Sequence, residues 1–289
     1  MTPTTLDAAS PPEPDTLAAF ERDGYVILRD AITPRWREQA AGAAMRLLDS
    51  GRTAGRDRSA DGKDGFRGIV AMDDTFLPLV ANPAVLPTLV ALLSTDLHLM
   101  SSNLIHLPSI PPGGQRTIRI PTRHGWHRDM SAATRDLGSE TIPRLSIKAA
   151  YFLSDPAPDA GITMFVPGSH TRTGPVTVPE GAIDPPDALT PDIGPCDTVL
   201  FENRTWHAGG LNTSDHPRLA IMMQYGYRWL APLDDPAPDL LQREELRDVE
   251  RQLLGAPDRN PDGSVTQEGN GAKPLRDWWN HLTATPAHS

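Results

Sequence analysis

The 289-residue chain predicts an α+β fold in which helices come first and a β-barrel or sandwich follows. Three observations carry this expectation. Capped helical patterns fill much of the first 94 residues, and from Leu97 short apolar strands alternate with proline-rich connections. The 30 prolines follow no period, which argues against collagen and against long helical bundles. Apolar residues at 38% plus 23 glycines fall in the globular range of about 45–50%, enough for a sizeable core. One large barrel with long loops uses this length as readily as two domains of about 150 residues each.

Residues 1–14 hold four prolines and no hydrophobic period, and are expected to form a disordered tail ahead of a single domain over 15–289. Asp15 caps a short helix that Gly24 ends, and Tyr25-Val-Ile-Leu-Arg29 is apolar and β-branched enough for a strand. Thr33-Pro34 starts a longer helix through Leu48, because a proline in the first turn lacks an N–H that would have no partner there. The glycine- and charge-rich stretch from Gly51 to Gly68 reads as a loop, and a helical pattern returns over about 74–94. Strand candidates at 97–106, 124–130, 144–153, 162–166, 197–203 and 218–229 place the barrel core at about 97–230. A C-terminal helical segment at about 238–282 includes a helix near 239–254 and the pair Trp278-Trp279. The stretches 107–123 and 167–195 exceed the usual loop limit of about 12–15 residues and are expected to form a lid at the barrel mouth.

Charge and cysteine content narrow the partners. A net charge of -10 disfavours nucleic acid and anionic membrane surfaces and leaves a small molecule as the expected partner. Apolar runs such as Leu89 to Leu93 fall well short of the ~18 residues a membrane span needs. The acidic, proline-rich start shows no basic region followed by an apolar one, so a cytoplasmic location is expected. Cys196 is the single cysteine, so any metal must be held by histidine and carboxylate.

The segment His124-Gly-Trp-His127-Arg128-Asp129 is the most informative. On a strand, residues two apart share a face, so His127 and Asp129 would project to one point. A neutral imidazole and a carboxylate suit a divalent first-row metal, and a second histidine would complete the facial triad used by non-haem Fe(II) oxygenases. His207 is the candidate, because the apolar run from Thr198 leads into it and Ala208-Gly-Gly follows. Each of these residues alone has an ordinary structural explanation. Arg218, eleven residues after His207 and at the start of another apolar strand, adds a cation that needs a buried anion, and a 2-oxoacid carboxylate fits its fork.

Phe20-Glu-Arg-Asp-Gly-Tyr-Val-Ile-Leu-Arg29, His127-x-Asp129, Phe165-Val-Pro-Gly-Ser-His170, and His207 followed by Arg218 together resemble the phytanoyl-CoA dioxygenase family of Fe(II)/2-oxoglutarate oxygenases over roughly 16–230. The resemblance implies a double-stranded β-helix (jelly-roll, cupin-like) core with N-terminal helices packed on the major sheet. It implies Fe(II), 2-oxoglutarate and O2 as cofactors, His127, Asp129 and His207 as iron ligands, and Arg218 as the 2-oxoglutarate-binding residue. Arg128 departs from the glutamine common between the first two ligands, Ala220 offers no hydroxyl beside Arg218, and the stretch 107–123 leaves the alignment of Asn103 open. Related halogenases replace the carboxylate by alanine or glycine, so Asp129 makes hydroxylation of a small metabolite the default. Desaturation, ring closure and epimerisation begin with the same hydrogen abstraction and stay open. The strand from Arg144 alternates so that Leu145, Ile147, Ala149, Tyr151 and Leu153 share one face, and Arg144, Ser146, Lys148, Ala150 and Phe152 the other. If the first face meets the helices, Lys148 and Ser146 line the barrel as candidate cosubstrate contacts. His170 reads as a turn residue. Two other classes compete: a zinc-dependent hydrolase or lyase, which lacks an H-E-x-x-H and leaves Arg218 unexplained, and a non-catalytic ligand-binding barrel, in which the triad would be idle.

Overall fold

The computed structural model describes residues 6–59, 63–110, 124–138, 140, 142–235, 237–260, 262–266 and 272–284. Within the stretch expected to be a disordered tail over 1–14, Leu6–Ala8 forms a 3-10 turn and Leu6 is buried in the core, while most of residues 7–14 are exposed. Helix α1 (Pro14–Asp23) ends at Gly24, whose φ of 78° is left-handed and whose N–H caps the Phe20 carbonyl at 2.8 Å. A Cβ at Gly24 would run into Thr205 and His170, so glycine is required there for approach as well as for backbone angle. Strand β1 (Tyr25–Leu28) leads to α2 (Pro34–Asp49), where the Thr33 hydroxyl accepts the Trp36 N–H at 3.2 Å, a cap worth about 1 kcal/mol.

The stretch expected to be a loop over Gly51–Gly68 contains a hairpin, β2 (Arg56–Arg58) with β3 (Asp64–Arg67). Its charged residues pair across the strands, as in the Arg56–Asp64 contact at 2.5 Å, so polarity hid a two-stranded edge. The helical region at 74–94 divides into a 3-10 segment, Asp74–Leu79, and α3 (Leu86–Leu92). Strand β4 (Leu97–Leu107) then opens the barrel; of the loop expected over 107–123, Leu107 ends β4 and the part over 111–123 lies outside the described residues. After α4 (Ser131–Leu137) come β5 (Ser146–Phe152), β6 (Thr163–Phe165), β7 (Thr198–Glu202), β8 (His207–Gly209) and β9 (Arg218–Tyr227). The helix expected near 239–254 is two pieces, α5 (Pro238–Leu241) and α6 (Asp248–Leu253), and α7 (Pro274–Ala284) carries the tryptophan pair. No helix among the described residues is long and apolar enough to cross a membrane.

The strands form a double-stranded β-helix. The major sheet has seven antiparallel strands in the order β1-β7-β5-β9-β4-β3-β2. The minor sheet pairs β6 with β8, and single bridges from His127 to His207 and from Leu189 to Phe165 widen it on both sides. Alternation sorts the core into two clusters. Ile147, Ala149, Tyr151, Ile221 and Met223 face Phe20, Ala40 and Leu89 of the helical layer, whereas Ala150, Phe152, Ala220 and Met222 meet Phe165, Val199 and Phe201 between the sheets. Arg218 and Lys148 share the parity of the second cluster, which turns both towards the barrel interior.

Candidate metal centre

Two segments bring the three candidate ligands to one point. His127 lies opposite His207, and each backbone N–H donates to the other's carbonyl at 3.0 Å. Opposed residues in an antiparallel pair share a face, so both rings enter the barrel. Asp129 follows, its N–H held by the Asn203 carbonyl at 3.0 Å. The strand expected over 124–130 is therefore a single bridge plus one anchoring hydrogen bond, and these two ties suffice for the convergence that strand parity predicts. Met130 then turns the chain away with a left-handed φ of 55°, which costs a non-glycine residue roughly 1–2 kcal/mol.

His127 Nε2 lies 4.0 Å from Asp129 Oδ1, and His207 Nε2 lies 3.8 Å from Asp129 Oδ2. One ligand atom from each residue falls within 4.8 Å of the others. Nδ1 of His127 donates to the Gly125 carbonyl at 2.7 Å, and Nδ1 of His207 to the Thr205 carbonyl at 2.9 Å. A carbonyl only accepts, so each Nδ1 carries the proton and each Nε2 presents its lone pair inward, the tautomer a metal requires. Burial pushes the His207 ring down to about 4 against the opposing pull of Asp129, which leaves it neutral at pH 7. Burial works against the Asp129 charge too, but Lys148, helped by the histidines, holds the carboxyl below its ordinary range. Two imidazoles and one carboxylate, with no thiolate, fit a divalent first-row ion such as Fe(II). Phe201 backs His207 with ring centroids 4.8 Å apart.

The other candidates fall at different distances from this point. Lys148 Nζ donates to Asp129 Oδ1 at 2.8 Å. Ser146 is buried, and its hydroxyl donates to Met130 Sδ at 3.3 Å while accepting from Gln224 Nε2 at 2.9 Å. Its single O–H is thus engaged, and the structure brings Ser146 to the wall of the site without a free donor for a cosubstrate. Arg218 is 4% exposed, donates to the Gly161 carbonyl, and leaves its Nε without a partner. Burial lowers its pKa to about 10. Asn103, in register with Met222 on the same face, has an unpartnered buried Oδ1. Arg128 points the opposite way from its neighbours: it donates to the Ser169 and Arg172 carbonyls at 2.7 Å each and lies 5.3 Å from the Trp206 ring centroid. His170 sits in a 3-10 turn with Nε2 3.0 Å from the Glu21 carbonyl, as expected of a turn residue.

Several supporting groups escaped the sequence reading. Asn203 binds the Leu145 and Ser146 N–H groups through Oδ1, at 2.8 and 3.2 Å, while its carbonyl holds Asp129. Asp184 accepts from Trp126 Nε1 at 2.9 Å and pairs with His124 Nδ1 at 2.6 Å, fastening the 167–195 stretch to the segment that bears His127. Gln224 was within reach of the sequence reading, being the one polar residue inside Leu219-Ala-Ile-Met-Met-Gln-Tyr225 and on the parity of Arg218.

The family profile for phytanoyl-CoA dioxygenase (PhyH) matches residues 20–220. An uncharacterised protein of Mycobacterium tuberculosis (strain ATCC 25618 / H37Rv) is 27% identical over 211 residues, covering 70% of this chain and 71% of its own. Among solved structures, the epimerase SnoN in complex with Fe3+, alpha ketoglutarate and nogalamycin RO has a TM-score of 0.57 at 22% identity, over 81% of this chain and 90% of that one. The carbocyclase SnoK from nogalamycin biosynthesis gives 0.57 at 19%, over 79% and 88%. EctD from S. alaskensis with bound Fe gives 0.60 at 20%, over 79% and 83%. At these identities the structural likeness is one of fold. The matched span holds His127, Asp129, His207 and Arg218, and the chain belongs to the phytanoyl-CoA dioxygenase family of Fe(II)/2-oxoglutarate-dependent oxygenases.

Proposed function

We propose that the protein hydroxylates an unactivated C–H bond of a small natural-product or amino-acid-like metabolite, converting 2-oxoglutarate and O2 to succinate and CO2 as it does so. The observation that carries this reading is the His127, Asp129 and His207 cluster with its carboxylate retained, inside a barrel that also holds a buried guanidinium with no carboxylate partner among the described residues. Bound Fe(II), with cosubstrate and O2, supplies the oxidant that removes a hydrogen atom from the substrate. His127, Asp129 and His207 would hold the ion on one side and leave the opposite side open. Arg218 would bind the distal carboxylate of 2-oxoglutarate, matching its fork to two oxygens. Phe165, Phe201 and Met222 keep the inner wall apolar, which excludes water from the reacting atoms.

The epimerase and the carbocyclase that share this fold come from nogalamycin biosynthesis, which supports a natural-product substrate. It also keeps epimerisation and ring closure as alternative ends of the same abstraction. Anaerobic titration of the protein with Fe(II) and 2-oxoglutarate should produce a weak visible charge-transfer band, and a metabolite panel screened for succinate release should identify the substrate. The product's mass then separates the outcomes: one added oxygen for hydroxylation, two lost hydrogens for desaturation or ring closure, no change for epimerisation. Absence of both the band and succinate would overturn the oxygenase reading.

A further inference from the structure

We infer that Lys148 is a positioning residue whose ammonium occupies one oxygen of Asp129, so that the carboxylate meets the metal through its other oxygen alone. The inference rests on the reading of His127, Asp129 and His207 as metal ligands. Lys148 stands in the middle of β5, in register with Phe201 on β7 and Gln224 on β9, and rises from the floor of the barrel. Its side chain is 18% exposed and that of Asp129 12%, and Nζ meets Oδ1 at 2.8 Å. Oδ2 lies 3.8 Å from His207 Nε2 and bonds no other group among the described residues, whereas Oδ1, 4.0 Å from His127 Nε2, is the oxygen that Lys148 engages. A lysine within the buried run Ser146-Ile-Lys-Ala-Ala-Tyr-Phe152 is costly unless paired, and Asp129 is the carboxylate with which it pairs among the described residues.

Two consequences follow from this contact. A carboxylate with both oxygens free can bind a divalent ion through one or both, and binding through both would fill a coordination position that the cosubstrate or O2 needs. The Lys148 N–H engages Oδ1 and opposes that second bond. The ammonium also repels a divalent ion a few ångströms away, and inside the barrel this repulsion is less screened than in water. Lys148 therefore weakens metal binding while reserving coordination space for 2-oxoglutarate. A lysine that merely braced the pocket would act in the opposite direction, because its loss would loosen the site and weaken metal binding. A lysine that touched only the cosubstrate would leave the affinity for metal alone unchanged.

The test measures Co(II) binding by visible absorbance and chelator competition without cosubstrate, followed by 2-oxoglutarate binding to each Co(II) form. Wild type is compared with Lys148→Met, which removes charge and donor, Lys148→Gln, which keeps an N–H donor, and Lys148→Arg, which keeps both. Lys148→Met is expected to bind Co(II) about tenfold more tightly than wild type, and 2-oxoglutarate more weakly. Lys148→Gln should tighten Co(II) binding yet retain 2-oxoglutarate affinity, and Lys148→Arg should resemble wild type. If Lys148→Met does not fold, as judged by its thermal melt, the glutamine and arginine variants decide the matter through the same Co(II) affinities. Equal or weaker Co(II) binding when the charge is removed overturns the inference while the metal assignment stands. A wild-type protein that binds no Co(II) overturns both.

Discussion

Arg218 carries a positive charge into the barrel with the Gly161 carbonyl to meet it, and its pKa falls from its ordinary value to about 10 because burial disfavours the cation. Between those two values the unfolded chain binds more protons than the folded one. Below pH 10 both states are charged, and the folded state bears the full cost of the buried cation. Replacing Arg218 by methionine should therefore leave the cosubstrate-free protein equally stable or more stable, by up to about 4 kcal/mol in urea unfolding. The same variant should lose about 2–5 kcal/mol of 2-oxoglutarate affinity, tens- to thousands-fold, and with it the rise in melting temperature expected when wild type binds the cosubstrate. Unchanged 2-oxoglutarate affinity would make the arginine structural. Asp129→Gly should lose the proposed hydroxylation and most bound iron, with little or no chlorinated product in chloride buffer, since halide transfer also requires the substrate to sit near the halide. Full hydroxylation by that variant would remove Asp129 from the ligand set. At this scale the charged and ligating residues were legible, because histidine, aspartate and arginine beside apolar strands demand a partner. Asn203 and Asp184 were not, because their roles lie in hydrogen bonds between segments 58 and 60 residues apart.

Elements with strong periodicity matched their expected positions, as the alternation of β5 and the Thr33 cap of α2 show. Short or polar ones did not. Strand β8 is three residues long and gains its place from pairing with β6 and His127, which no local pattern encodes. The β2–β3 hairpin is polar because it lies at the sheet edge, where charge also discourages pairing with another chain. The 167–195 stretch is irregular yet fastened, by Asp184 to His124 and Trp126, by the Arg172 carbonyl to Arg128 at 2.7 Å, and by the Leu189 bridge to Phe165. These ties place it beside the ligand-bearing segment, and few of them need break for it to move. Amide exchange in 174–187 should slow when Fe(II), 2-oxoglutarate and the true substrate are all bound. Asp184→Ala should speed exchange in the same residues and raise the fraction of 2-oxoglutarate consumed without substrate oxidation. Protection confined to the strands in wild type would remove the lid from the mechanism.

Across the whole molecule, the helical layer and the metal centre are joined through one buried carboxylate. Glu202 ends β7 with no exposed surface, accepts from Arg144 Nε and Arg204 Nε at 2.5 Å each, and lies at the start of the turn that delivers His207. Arg144 extends the link outward: it bonds both Glu21 oxygens on α1 at 2.9 and 2.7 Å, reaches the Leu92 carbonyl at 3.0 Å, and covers the Phe20 ring at 5.1 Å. From the same turn, the Thr205 hydroxyl donates to the Gly24 carbonyl at 2.8 Å, so α1 and the His207 turn are tied twice. Glu202→Gln would leave two guanidinium groups without their shared buried counter-charge, a loss of about 3–5 kcal/mol in unfolding free energy. Because the turn is part of that network, Co(II) affinity should fall with stability. Glu21→Gln provides the contrast, since its side chain is 56% exposed: it should cost about 1 kcal/mol or less and leave Co(II) binding as in wild type. A Glu202→Gln protein as stable as the Glu21→Gln protein would show that the two arginines are satisfied elsewhere. Loss of Co(II) binding in Glu202→Gln without loss of stability would show that the turn, not the helical layer, depends on this carboxylate.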